Sequence, residues 1–124
     1  MNELKVIGKQ DVAGIHLTGI EGGFGENKKA MLVKDISAIH GKPVSHINRA
    51  INQNYKRFAE GVDIIDLKTN ASDASVLSEL FTNAQIGNAN NIYLLSERGY
   101  AKLLKILEDD TAWELYDKLV DGYF

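Results

Sequence analysis

Ser45, His46, Asn48, Arg49, Asn52 and Gln53 fall within nine consecutive positions of the chain. Each can exchange hydrogen bonds with a base edge: Arg matches guanine O6 and N7, and Asn or Gln matches adenine N6 and N7. Between them Val44, Ile47, Ala50 and Ile51 recur at i, i+3, i+6 and i+7, the spacing of one apolar helix stripe. With that stripe turned to a core, the six polar side chains occupy the outer arc. A solvated helix face is ordinarily filled by Glu and Lys; Asn, Ser and His are poorer helix formers, so something other than solubility selects them here.

Charge, taken as a total, argues the other way. Fourteen basic residues against seventeen acidic ones leave a net −3, unfavourable for a polyanion. The distribution reverses this. Lys28, Lys29, Lys34, Lys42, Arg49, Lys56 and Arg57 share a 30-residue segment whose only acid is Asp35, a local net of +6. A phosphate backbone responds to the local field, so these seven cations are expected to converge on one surface and to complete a DNA-binding set with the outer arc.

Other chemistries find no constellation. His40 and His46 are about 240° apart even on an unbroken helix, so with His16 they cannot ligate a metal from one face. Asp63 and Asp66 bracket a predicted strand, and Asp109 with Asp110 precede a helix; neither pair is placed to hold magnesium for a nuclease. The glycine-rich stretch Gly19–Lys28 is not a phosphate-binding loop, because Lys28-Lys29-Ala30 lacks the Gly-Lys-hydroxyl order; it reads as a tight strand connection. Ser96-Glu97-Arg98-Gly99 is a helix cap by position, and the absence of cysteine removes thiol and disulfide chemistry. No enzyme activity, metal or cofactor is expected.

The elements that must position the arc follow from periodicity. The first thirty residues read as two or three short strands. Leu32, Ile36 and Ile39, with Val33 beside them, predict a short helix after Met31, stopped by Gly41; Pro43 then suits the first turn of a second helix running to about Asn54. Two helices joined by a short Gly-containing turn describe a helix-turn-helix-like pair. Val62–Lys68 and Ile92–Leu95 read as partner strands, separated by a polar segment, Thr69–Asn91, with one helix from about Ala74 to Phe81, taken as a tolerated excursion. Ser96 caps a helix striped by Tyr100, Leu103, Leu104 and Leu107, and Thr111 with Glu114 forms a capping box for the last. That last helix is apolar over a wide arc; Trp113 and Leu119 are expected in the core, with Tyr123 or Phe124 left for a second copy. With 124 residues and 44% hydrophobic content, the chain is expected to be one α+β domain, 1–124: a small sheet or hairpins packed with about five helices. No apolar run suits a membrane span and the N-terminus lacks a secretory signal, so the chain is expected in the cytoplasm.

The sequence resembles the N-terminal, KilA-N-like domain of antirepressors from phages and prophages of Gram-positive bacteria. The resemblance rests on Ile20-Glu21-Gly22-Gly23-Phe24-Gly25-Glu26, Met31 to Gly41, Ile47-Asn48-Arg49-Ala50-Ile51-Asn52 leading to Arg57-Phe58, and Asp63-Ile64-Ile65-Asp66-Leu67-Lys68. It continues through Tyr93 to Leu103 and closes with Ala112-Trp113-Glu114 to Leu119-Val120-Asp121-Gly122-Tyr123-Phe124. It implies an α+β module that binds DNA, in proteins that relieve repression of phage lytic genes inside the bacterial host. By position it implies base contacts from Ser45, His46, Arg49, Asn52 and Gln53. Members usually carry a second, C-terminal domain, which is expected to be absent here.

Two functions from different classes remain. One is a sequence-specific domain for double-stranded DNA, acting as a homodimer; the other is a protein-interaction domain that captures a phage repressor without contacting DNA. The net charge favours the second, the basic segment and its Asn/Arg face the first.

Overall fold

The computed structural model describes residues 4–12, 14–69, 74–108 and 110–124, apart from the side chains of Ala74, Ser75 and Thr111. Three strands, β1 (Lys5–Val12), β2 (Ile15–Gly22) and β3 (Gly25–Leu32), lead into α1 (Val33–His40) and α2 (Val44–Gln53). A single 3-10 turn, Tyr55–Arg57, precedes β4 (Ile64–Asp66); then come α3 (Ala74–Leu80), α4 (Asn83–Asn88), β5 (Tyr93–Ser96), α5 (Glu97–Leu107) and α6 (Asp110–Gly122). The strands form one sheet in the order β1-β2-β3-β5-β4, every neighbour antiparallel. The α+β class is as expected, with six α-helices among the described residues where about five were expected.

Alternation along the central strands builds two cores. Met31 of β3 and Leu95 of β5 face one side, where they meet Ile36, Ile47, Tyr100 and Leu119 from α1, α2, α5 and α6. Leu32 and Leu94 face the other, meeting Leu67 and Leu77 beneath α3 and α4. A strand covered on both sides reads as an unbroken apolar run, as Ile92-Tyr93-Leu94-Leu95 does. The segment between β4 and β5 therefore roofs a second core and is no excursion. Its second helix, α4, was not expected, although Thr82 opens it with a full capping box: Gln85 N–H donates to Thr82 Oγ1 at 3.1 Å and Thr82 N–H to Gln85 Oε1 at 2.9 Å.

Boundaries moved by a residue or two. Met31 and Leu32 close β3 instead of opening α1, and Pro43 is the N-cap of α2, not part of its first turn. Gly41 ends α1 as expected, left-handed at φ 65°, with its N–H donated to the Ser37 carbonyl. The glycine-rich stretch closes the β2–β3 hairpin, again as expected.

The last helix reverses one expectation. Trp113 is 73% exposed, while Leu119 and Tyr123 are buried. Two apolar stripes lie side by side on α6, and the one that carries Ala112, Leu115, Leu119 and Tyr123 faces the sheet. Tyr123 decides the choice: its hydroxyl accepts Ile20 N–H at 3.1 Å and donates to the Ala30 carbonyl at 2.8 Å. Ile20 and Ala30 are the last pair of the β2–β3 ladder, so the phenol bridges the strands where they part. Burial pushes its pKa up to about 12. Thr111 was expected to cap this helix but lies inside it, since α6 already includes Asp110; Asp109 of the paired acids lies outside the described residues.

Candidate functional site

The three-residue turn Gly41–Pro43 sets α2 across the sheet with Ile47 and Ile51 fully buried. The core stripe is narrower than its spacing suggested: Ala50 is half-buried and Val44 is 42% exposed. Ser45, His46, Arg49, Asn52 and Gln53 are exposed along the outer arc, as the periodicity required. Asn48 is half-buried at its edge, and its Oδ1 is buried without a hydrogen-bond partner among the described residues. No acid stands in the first turn of α2 and no side chain caps its N-terminus, so the positive end of the helix dipole is uncompensated.

Asn52 is oriented from behind. The Tyr93 hydroxyl donates to Asn52 Oδ1, which turns the amide N–H groups outward. Burial and the nearby Asp66 carboxylate keep the Tyr93 phenol above its ordinary pKa, so it remains a donor.

Beside the arc runs a groove, made of two hollows of about 380 and 580 Å³ that share Val44 and Asn48 on α2 and Asn88, Ala89 and Asn91 opposite. Lys34 lines one hollow and Arg49 the other, and no acidic residue lines either. The Lys34 ammonium lies 4.9 Å above the Phe81 ring and donates to the Leu80 carbonyl at 3.4 Å. The remaining cations are dispersed. Lys28 and Lys29 stand in the middle of β3 around a separate hollow of about 460 Å³ with Arg98 and Phe124, the Lys29 ammonium 5.0 Å over the Tyr123 ring. Lys42 is half-buried in the α1–α2 turn, and Lys56 and Arg57 are exposed on the 3-10 turn. Among the described residues, Lys28, Lys29, Lys34, Arg49, Lys56 and Arg57 form no ion pair with a carboxylate.

The histidines separate as their spacing implied. His40 is buried and hydrogen-bonded through Nε2 to the Tyr100 hydroxyl at 2.8 Å, a core role. His16 is exposed beside Asp11, and His46 is exposed on α2. Among the described residues no group of three His, Cys, Asp or Glu is placed to hold a metal. None of their helices is long and apolar enough to cross a membrane.

One cluster went unread in the sequence. Asp63 is fully buried between β4 and α5, where it accepts Ala59 N–H at 2.8 Å, the Lys102 ammonium, and an ionic contact from Arg98 Nε at 3.2 Å. Burial pushes its carboxyl up, but the hydrogen bonds from Ala59 and Lys102 and the charges of Lys102 and Arg98 outweigh it and hold the pKa below the ordinary carboxylate value. Its carbonyl accepts Ser96 N–H at 3.1 Å, and Ser96 Oγ in turn caps α5 by accepting Gly99 N–H at 3.1 Å. Gly99 lies so close that a Cβ there would stand 2.0 Å from the Asp63 carbonyl oxygen. Ser96, Arg98, Gly99 and Lys102 thus all act on one residue. Only their chain positions are local; the partner is more than thirty residues away, beyond the reach of any spacing rule.

Residues 25–106, from the start of β3 almost to the end of α5, match the model of the ORF6N domain. The chain belongs to the ORF6N domain family. This family is phage-associated, which agrees with the expected phage origin at that level. No curated protein and no solved structure matches the chain. The ORF6N span contains α2, the groove and the Asp63 cluster, whereas α6 and the β1–β2 pair lie outside it.

Proposed function

We propose that this ORF6N domain is the DNA-reading part of an antirepressor-type phage regulator, working as the KilA-N-like resemblance implies, with α2 in the major groove of double-stranded DNA. One observation carries the reading: α2 holds Ser45, His46, Arg49, Asn52 and Gln53 exposed on one arc with no acid on the helix. Arg49 supplies the bidentate donor for guanine, Asn52 and Gln53 the amides for adenine, and Lys34, Lys42, Lys56 and Arg57 the flanking charge for phosphates. Lys28 and Lys29 stand apart and would touch only a longer duplex.

A homodimer would place two such helices on half-sites about one turn apart, roughly 34 Å. Trp113, exposed beside Ala101, Leu104 and Tyr116, supports an apolar contact there; of the two residues expected to make it, Tyr123 is buried and Phe124 half-buried. Sedimentation at rising concentration tests it, and a persistent monomer would remove it.

The deciding experiment is a titration of labelled duplex DNA at two salt concentrations. Affinity should fall steeply with salt, since each neutralised phosphate releases counterions. The exposed Val44 within the groove favours the other reading, capture of a repressor protein; absence of DNA binding at low salt would make that the function.

A further inference from the structure

The wall of the groove opposite α2 is the segment Asn88–Asn91, held by Asp66 of β4 and by Lys68 in the turn just beyond it. The Lys68 ammonium donates to the carbonyls of Ile86 at 2.8 Å, Gly87 at 3.4 Å and Ala89. Asp66 accepts Ile92 N–H on Oδ1 and the Asn91 amide on Oδ2, each at 3.0 Å. A cation seated on three carbonyls and a carboxylate that takes the Asn91 amide and the Ile92 N–H hold the segment in place. Asn88 and Asn90 are left exposed on this fixed wall, with no side-chain hydrogen bond among the described residues, and both line the groove with Arg49.

We propose that the groove takes one phosphodiester strand of a DNA duplex, Asn88 and Asn90 donating amide N–H groups to its phosphates. The inference rests on the DNA reading of α2. When a helix lies in the major groove, the sugar–phosphate strand rims that groove and runs alongside the helix, where this wall stands. The lining suits such a strand: Lys34 and Arg49 supply positive charge, no acid opposes it, and Val44 and Ala89 give apolar contact for deoxyribose. The wall itself donates through neutral amides, so it fixes the position of the strand without releasing counterions. Lys68 is a positioning residue, acting only through the wall.

The test uses the full chain and two fluorescent probes: a random-sequence duplex pool of roughly 20 base pairs, about two helical turns, and the duplex it selects from that pool. Replacing both asparagines, Asn88→Ala with Asn90→Ala, should weaken the two probes by the same factor, roughly tenfold, and leave the salt slope unchanged. Lys68→Met should give part of that loss and Lys68→Arg recover it. Combined with the asparagine changes, Lys68→Met should add nothing, because the residues act as one unit. Unchanged affinity in the double variant, a loss confined to the selected duplex, or full additivity with Lys68→Met would each overturn the proposal. If those results came with a wild-type chain that binds DNA and is weakened by Arg49→Ala, the reading of α2 would stand alone. A wild-type chain that binds neither probe would overturn both.

Discussion

Arg98 and Lys102 on α5 and Arg49 on α2 are cations on helices of one small fold, yet their surroundings differ. The α5 pair turns onto the buried Asp63 carboxylate, with Lys102 also donating to the Arg57 carbonyl. Arg49 projects from the surface and meets no carboxylate among the described residues. A buried acid that stays ionised needs partners, so the α5 cations are committed to the fold. Nothing inside the molecule demands Arg49, and an unpaired guanidinium beside amides on an acid-free helix is free for an external partner. Residue type alone separates neither case; what separates them is whether a buried anion lies within reach.

The largest effect that can break this contrast belongs to Gly99. Gly99→Ala drives a methyl group into the Asp63 carbonyl oxygen, 2.0 Å away on the present backbone, and that carbonyl is held by Ser96 N–H at 3.1 Å. A loss of about 3 kcal/mol or more is expected, read as a lower denaturation midpoint. A small loss would mean that α5 is not tightly seated on β4. Next comes Lys102→Met, which leaves Asp63 with Arg98 and Ala59 alone. About 2 kcal/mol is expected, reduced from the cost of a fully buried pair because the Lys102 side chain is 28% exposed. Because the folded pKa of Asp63 is depressed, its contribution is complete above the unfolded carboxylate value, near 4, and lost as pH falls through the folded value. Lys102→Met raises that folded value, so acid unfolding should begin at a higher pH than in the wild type.

On α2 the expectation inverts. Arg49→Ala should leave the melting temperature nearly unchanged while costing about 1 to 3 kcal/mol on the preferred duplex and relaxing the base choice there. Lys56→Ala, on the 3-10 turn that follows α2, should weaken all duplexes alike and lower the salt slope by roughly one. A destabilised Arg49→Ala chain would place Arg49 with the α5 cations, and the contrast would fail.

How much of this was legible depended on how local each determinant is. The α2 arc was readable because a single helix period fixes which side chains point outward, and Gly41 and Ser96 were readable because caps act within four residues. The capping box Thr82–Gln85 was just as local, and went unread because the segment around it is polar and its apolar contacts come from Leu77, Ile86 and the sheet beneath. Trp113 was misplaced for a different reason. Two adjacent stripes on α6 score alike, and the choice between them lies with the Tyr123 hydroxyl and strands about a hundred residues earlier. The Asp63 cluster and the Asn88–Asn91 wall are tertiary throughout. Their partners are brought together by the β4–β5 pairing, which periodicity suggests but cannot register.

The smallest expected effect sharpens the comparison with a buried acid that has no cation seated on it. Asp35 is buried under the start of α1, and its carboxylate accepts Thr18 N–H at 3.0 Å. Burial raises its pKa; that N–H and the Lys34 charge offset the rise only in part, since the Lys34 ammonium sits over Phe81 instead. The sign is therefore opposite to that of Asp63: the folded state holds the Asp35 proton more tightly, and its contribution is lost as pH rises through the folded value. Asp35→Asn keeps an oxygen for Thr18 and removes the cost of burying a charge, so stability at neutral pH should change by no more than about 0.5 kcal/mol in either direction. Urea midpoints measured through the weakly acidic range should also lose the decline with rising pH that Asp35 imposes on the wild type. A loss of about 2 kcal/mol at neutral pH would instead show that the ionised carboxylate is needed, and Asp35 would join Asp63 as an anchor of the fold.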